Sequence, residues 1–203
     1  MATELNRRGL LAVMAAGAAA AATFAPRAAF ALTTDEARSL VDALVNDING
    51  SINSGKSDAA LFSDFETIFT RYADVAIIAQ SALGVAARQA NPSQMQAFTG
   101  AFRTYIARKY GRRFRDFKGT DIQVSDARAV KTFYEVQSTA RVRGQSPIDV
   151  RWQVSDRSGK NLFFNVIIEG VNMLATERTE IGALLDQRKG NLDQLIKDLP
   201  TLA

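Results

Sequence analysis

The chain has no histidine and no cysteine among its 203 residues. That removes the commonest general base, imidazole and thiolate metal ligands, and every Ser-His-Asp or Cys-His nucleophile. Carboxylates, Lys, Tyr and Ser are what remain for chemistry. Two carboxylates, Glu135 and Glu169, sit in or beside strand-like segments. A pair of carboxylates can do acid/base work, but Glu135 falls on the polar side of its segment and Glu169 precedes Gly170 at a strand end, so solvated or turn-stabilising roles are expected for both. The glycines are isolated, and no phosphate-cradling loop is present. The densest charge is the run Arg108, Lys109, Arg112, Arg113 and Arg115. It reads either as a helix C-terminus, where cations suit the macrodipole, or as a patch for anionic head groups, a membrane surface or an acidic partner.

The elements that would position these groups are legible in order. Met1 to Ala31 reads as an export segment: Arg7-Arg8 followed by Leu10-Leu11, an Ala-rich apolar run, Pro26, and Ala29-Phe30-Ala31 as a small-x-small cleavage site. A cleaved twin-arginine signal over 1–31 and a periplasmic mature domain over 32–203 are expected. A membrane anchor is the competing reading, disfavoured because the apolar run is short and Ala-rich. The segment carries Arg7, Arg8 and Arg27 against Glu4, so the remainder holds 22 basic and 20 acidic residues. That near-balance argues against a nucleic-acid partner.

Thr33 to Glu36 forms a capping box, and Leu40, Val41, Leu44, Val45, Ile48 and Ile52 follow at helical spacing. Phe62, Phe65, Phe69 and Tyr72 stripe a second helix, and a third covers about Asp74 to Leu83. Asn91-Pro92 starts another, with Met95, Phe98, Phe102, Tyr105, Ile106 and Tyr110 on its stripe. A short strand is expected over Asp121–Ser125 and a long one over Val130–Arg143. Ile148, Val150, Trp152 and Val154 then alternate with polar residues, giving a strand with one wet face. After a Ser-Gly turn, Leu162 to Ile168 is apolar on both faces, as in a strand covered on both sides or bearing a ligand on one. Two helices are expected after Arg178, separated by Gly190-Asn191. The sum is an α+β single domain, a helical layer on a four-stranded antiparallel sheet. Composition does not separate a filled aromatic core from a cavity.

Pro147-Ile148-x-Val150-x-Trp152, a hairpin, then Val166-Ile167-Ile168-Glu169-Gly170-Val171 and Arg178 resemble the C-terminal half of the MlaC (toluene-tolerance) family. The likeness extends upstream through Phe98 to Arg115 and covers most of the chain after Leu40. The family usually carries Asp where Asn165 stands, Ser at Asn172 and an aromatic at Glu177; a hopanoid-associated branch is one home for such a variant. The resemblance implies a periplasmic phospholipid carrier, with a deep apolar pocket between helices and sheet and no cofactor beyond the lipid cargo. It implies two partners, an inner-membrane ABC-type lipid transporter complex and an outer-membrane lipoprotein complex. Given a pocket, period-two alternation places Tyr134, Val136, Val150, Trp152 and Val154 on its sheet side, with Phe164, Val166 and Ile168 beside them. Phe98, Phe102, Tyr105 and Ile106 form the facing wall. Arg112, Arg113 and Arg115 are expected to dock the protein, not hold lipid. The expected activity is non-enzymatic; a ligand-free interaction module and a carboxylate-based enzyme on a lipid or glycan are the alternatives.

Overall fold

Helix starts in this chain are made by short-range hydrogen bonds. The Thr33 hydroxyl accepts from the Glu36 N–H at 3.2 Å, and the Glu36 carboxylate accepts from the Thr33 N–H at 2.8 Å. Asn91 and Gln94 repeat the exchange around Pro92. The computed structural model describes residues 32–112 and 117–202; the export segment 1–31, Arg113 and Arg115 lie outside them. The chain runs α1 (Thr34–Ile52), α2 (Asp58–Tyr72), α3 (Val75–Leu83), a 3-10 turn, then α4 (Pro92–Gly111). The strands follow: β1 (Asp121–Val130), β2 (Phe133–Arg141), β3 (Ile148–Ser155), β4 (Leu162–Ile168) and β5 (Val171–Asn172). The helices α5 (Met173–Gln187) and α6 (Leu192–Asp198) close the chain.

The sheet is an antiparallel meander in the order β1-β2-β3-β4-β5. It has five strands where four were expected. The fifth is two residues long and is returned by Glu169 and Gly170, both at positive φ (49° and 78°), a two-residue turn that suits the twist of a hairpin. The first two strands also differ from expectation. β1 continues to Val130, and the hairpin turns at Lys131-Thr132, with Lys131 at φ 52°. A register shift between Val124 and Asp126 breaks the alternation of β1, so its second half gives no clean period-two signal.

Register decides what the sheet buries. Val136 faces Trp152, and Tyr134 faces Val154, across β2 and β3. Trp152 faces Val166, and Val150 faces Ile168, across β3 and β4. Between these pairs a shift at Gln153/Val154 puts Phe163, not Phe164, opposite Val154. Phe163 thereby joins the inner face and meets the Trp152 ring edge-on at 5.5 Å. α1 packs on β1 and β2, α2 on α4, and α5 on α3 and β4. α5 begins at Met173, five residues before the expected boundary at Arg178, because the Asn172 side chain accepts from the Ala175 N–H at 3.0 Å and caps it.

Candidate functional site

Between the helices and the inner face of the sheet lies a cavity of about 450 Å³. α1 contributes Leu44, Ile48 and Ile52; α2 contributes Phe65, Ile68 and Phe69. Ile106 and Tyr110 come from α4, and Ile148, Val150 and Trp152 from β3. β4 adds Phe163, Phe164, Asn165, Val166 and Ile168, and α5 adds Met173, Leu174 and Glu177. Phe117 and Ile168 are exposed large apolar side chains that also belong to the wall, so they mark its rim.

The aromatic stripe of α4 divides. Ile106 and Tyr110 border the cavity, whereas Phe98, Phe102 and Tyr105 are fully buried and pack on one another, with ring centroids 5.9 and 6.4 Å apart. Val136 and Val154 are also fully buried in the core, and Tyr134 packs against its edge. These six residues fill space that the expected assignment gave to the pocket. The physical reason is helical geometry: 98, 102 and 105 recur at i, i+4, i+7 on one side of α4, while 106 and 110 lie on the adjoining side. The wall contributed by α1 and α2 shows in the sequence as apolar helical spacing and, on α2, as one of the aromatic stripes that could fill a core or line a cavity. Phe163 reaches the wall through the register shift at Gln153/Val154, which alternation along the strand does not show. The one sequence signal at Glu177 is that the family usually carries an aromatic there.

Polar satisfaction sharpens the sheet side. The Trp152 indole N–H donates to the Ser138 hydroxyl at 2.9 Å, and that hydroxyl donates to the Val150 carbonyl at 3.2 Å. The one indole of the chain is thus oriented with its apolar edge toward the cavity. Asn165 donates to Gln153 at 3.0 Å and accepts from the Leu174 N–H at 3.0 Å, tying α5 to β4.

One polar cluster interrupts the apolar wall, between α4 and α5. Lys109 Nζ donates to Glu177 Oε1 at 2.8 Å and to Glu180 Oε2 at 2.5 Å. It also lies 5.4 Å from the centroids of both the Tyr105 and Tyr110 rings. The Tyr110 hydroxyl donates to Glu177 Oε1 and the Tyr105 hydroxyl to Glu180 Oε1. Burial, then the Glu180 hydrogen bond and the charge of Glu177, push the Tyr105 phenol far above the ordinary tyrosine range. Burial would raise the Glu180 carboxyl, but hydrogen bonds from Lys109 and Tyr105 outweigh it and hold it below the usual carboxylate value.

The carboxylates singled out in the sequence do not converge. Glu135 pairs with Arg128 at 2.6 Å, and Glu169 accepts from the Asp149 N–H in its turn. Among the described residues no cluster of three or more metal-ligating side chains is found, and no helix is long and apolar enough to cross a membrane. Arg112 stands exposed at the C-terminal cap of α4.

A model described as MlaC protein matches residues 38–201. The chain belongs to the MlaC family. The match takes in every described helix and strand except the first turn of α1, so the cavity walls all fall within the MlaC region. A solved structure with the same MlaC-like fold is the phospholipid-binding protein from Ralstonia solanacearum in complex with a phospholipid. It superposes with a TM-score of 0.69 at 21% identity, over 80% of this chain and 94% of that one.

Proposed function

We propose that this chain is a non-covalent lipid carrier that holds the acyl part of a phospholipid, or a related membrane lipid, in the cavity between helices and sheet. The observation that carries the reading is the cavity itself: its volume of about 450 Å³ and nearly unbroken apolar wall suit a hydrocarbon ligand. Membership of the MlaC family and the phospholipid held by the Ralstonia solanacearum protein support it. The energetics support it too. Each methylene withdrawn from water is worth about 0.8 kcal/mol, whether a pocket or a bilayer receives it. Exchange between protein and membrane is then close to balanced and requires no covalent chemistry.

In this reading the protein is exported, cleaved after Ala31 and active in the periplasm. There it passes lipid between an inner-membrane ABC-type complex and an outer-membrane lipoprotein complex. Arg112, Arg113 and Arg115 belong to docking. Cleavage at that point would leave the Leu32 ammonium beside Asp156, whose carboxylate already accepts from the Leu32 N–H at 3.1 Å.

Native mass spectrometry of the protein purified from cells tests the reading. The expected result is the mass of residues 32–203 plus a lipid. A protein that carries no lipid and takes none from phospholipid vesicles would instead be a ligand-free interaction module.

A further inference from the structure

The polar cluster on the cavity wall is unbalanced in two respects. Glu177 is buried, its side chain 5% exposed, yet its Oε2 atom has no hydrogen-bond partner. Its other oxygen is fully engaged by Lys109 and Tyr110. A buried carboxylate oxygen without a donor is costly, and the great majority of such atoms find a partner. The charge is unbalanced as well: among the described residues of the cluster, one ammonium, Lys109, faces two carboxylates, Glu177 and Glu180. The cluster also has direction. Glu177 belongs to the cavity wall, Lys109 is 24% exposed and Glu180 is 42% exposed, so it leads from the cavity toward solvent. A second buried wall atom, the Thr120 hydroxyl oxygen, likewise lacks a partner.

We infer that this cluster is a head-group site, and that Glu177 selects lipids whose head group carries an ammonium N–H donor. This rests on the carrier reading and specifies its cargo. A primary ammonium supplies what the cluster lacks, a donor for Glu177 Oε2 and one positive charge. Glu177 lines the cavity, so a donor that enters there meets its carboxylate while Oε1 stays with Lys109 and Tyr110. A trimethylated ammonium brings the charge but no N–H, and leaves Oε2 without a donor. The Lys109 ammonium is held by two carboxylates and two aromatic faces, so it positions Glu177 and stays in place when cargo leaves.

The test equilibrates the purified full chain with excess vesicles of equal phosphatidylethanolamine and phosphatidylcholine carrying identical acyl chains. The protein is then separated, and the ratio of the two lipids bound is read by mass spectrometry. The wild type is expected to enrich phosphatidylethanolamine by at least about tenfold, the low end of what a charge-assisted hydrogen bond provides. Glu177→Met is expected to bring the ratio to that of the vesicles. Glu177→Gln, which keeps an acceptor and loses the charge, should fall between, and stands in if the Met variant does not fold. A wild-type ratio equal to that of the vesicles overturns the assignment, as does an enrichment that both variants retain. A wild type that takes up neither lipid overturns the carrier reading itself, which the ratio among bound lipids keeps distinct.

Discussion

Val150 and Trp152 show how single residues divide the work of the inner face. Trp152 is fixed by the Ser138 hydroxyl, a buried hydrogen bond that leaves only its apolar surface free. Val150, two residues earlier on the same face, borders the cavity with a small side chain and faces Ile168 across the sheet. Bulk added at Val150 enters space that the cargo would occupy. Val150→Trp is therefore expected to lower bound lipid several-fold while the melting temperature changes little. In a filled core the same substitution would cost about 1–3 kcal/mol through overpacking and would have no ligand to displace. Lipid extraction alongside a thermal melt separates the two; full occupancy in a badly destabilised variant would remove Val150 from the site.

At the scale of elements, α4 is the hinge between core and cavity. Its Phe98, Phe102 and Tyr105 side anchors it, and its Ile106 and Tyr110 side borders the void. Its closeness to α2 depends on Gly111, where a Cβ would lie 2.7 Å from Phe62 Cδ2. The Phe62 Cα would lie at an ordinary contact distance of 3.6 Å, so it is the ring that has to shift. Gly111→Ala should then destabilise the protein by about 1–3 kcal/mol, outweighing the helix propensity it gains. Gly100, in the middle of the same helix, borders open space, and a methyl group there would meet nothing within 4 Å. Gly100→Ala should stabilise by about 0.5–1 kcal/mol. Urea denaturation of the two variants measures both, and equal effects at the two positions would mean that α2 and α4 are not held at this distance.

On the scale of the whole molecule, a carrier has to meet membranes or membrane-bound partners and leave them again. The cavity rim already exposes Phe117 and Ile168, and Arg112 stands exposed at the end of α4. Basic charge there steers approach to anionic surfaces without contributing to the grip on acyl chains. Changing Arg112, Arg113 and Arg115 together to Glu is expected to weaken co-sedimentation with vesicles containing anionic lipid. The loss should be greatest at low salt, where screening is weakest. If lipid retention falls instead and vesicle binding is unchanged, the three arginines hold cargo and not the docking surface.

The sequence alone determined those features whose cause lies within a few residues. The capping box at Thr33/Glu36 and the Asn91 cap ahead of Pro92 each close over three residues, and the structure completes the second with Gln94. The strict alternation of β3 is a local period, and its wet and buried faces follow from it. Family membership was legible from Val166 to Val171 and the hairpin before it, and the match over residues 38–201 agrees. The tertiary structure alone decided what each apolar side chain meets. A cavity is a gap between elements, set by how far apart helix and sheet come to rest, and residue type does not encode that distance. Hence Phe98 and Phe102 read the same as Ile106 and Tyr110 until α4 is docked. Phe163 turned inward through a register shift between two strands, which neither strand shows by itself. Glu177 met Lys109, 68 residues away, only because α5 begins at Met173, capped by Asn172, and packs near the end of α4. Periodicity specifies which side of an element is apolar; only the packing of one element against another decides whether that side is filled by protein or left open for a ligand.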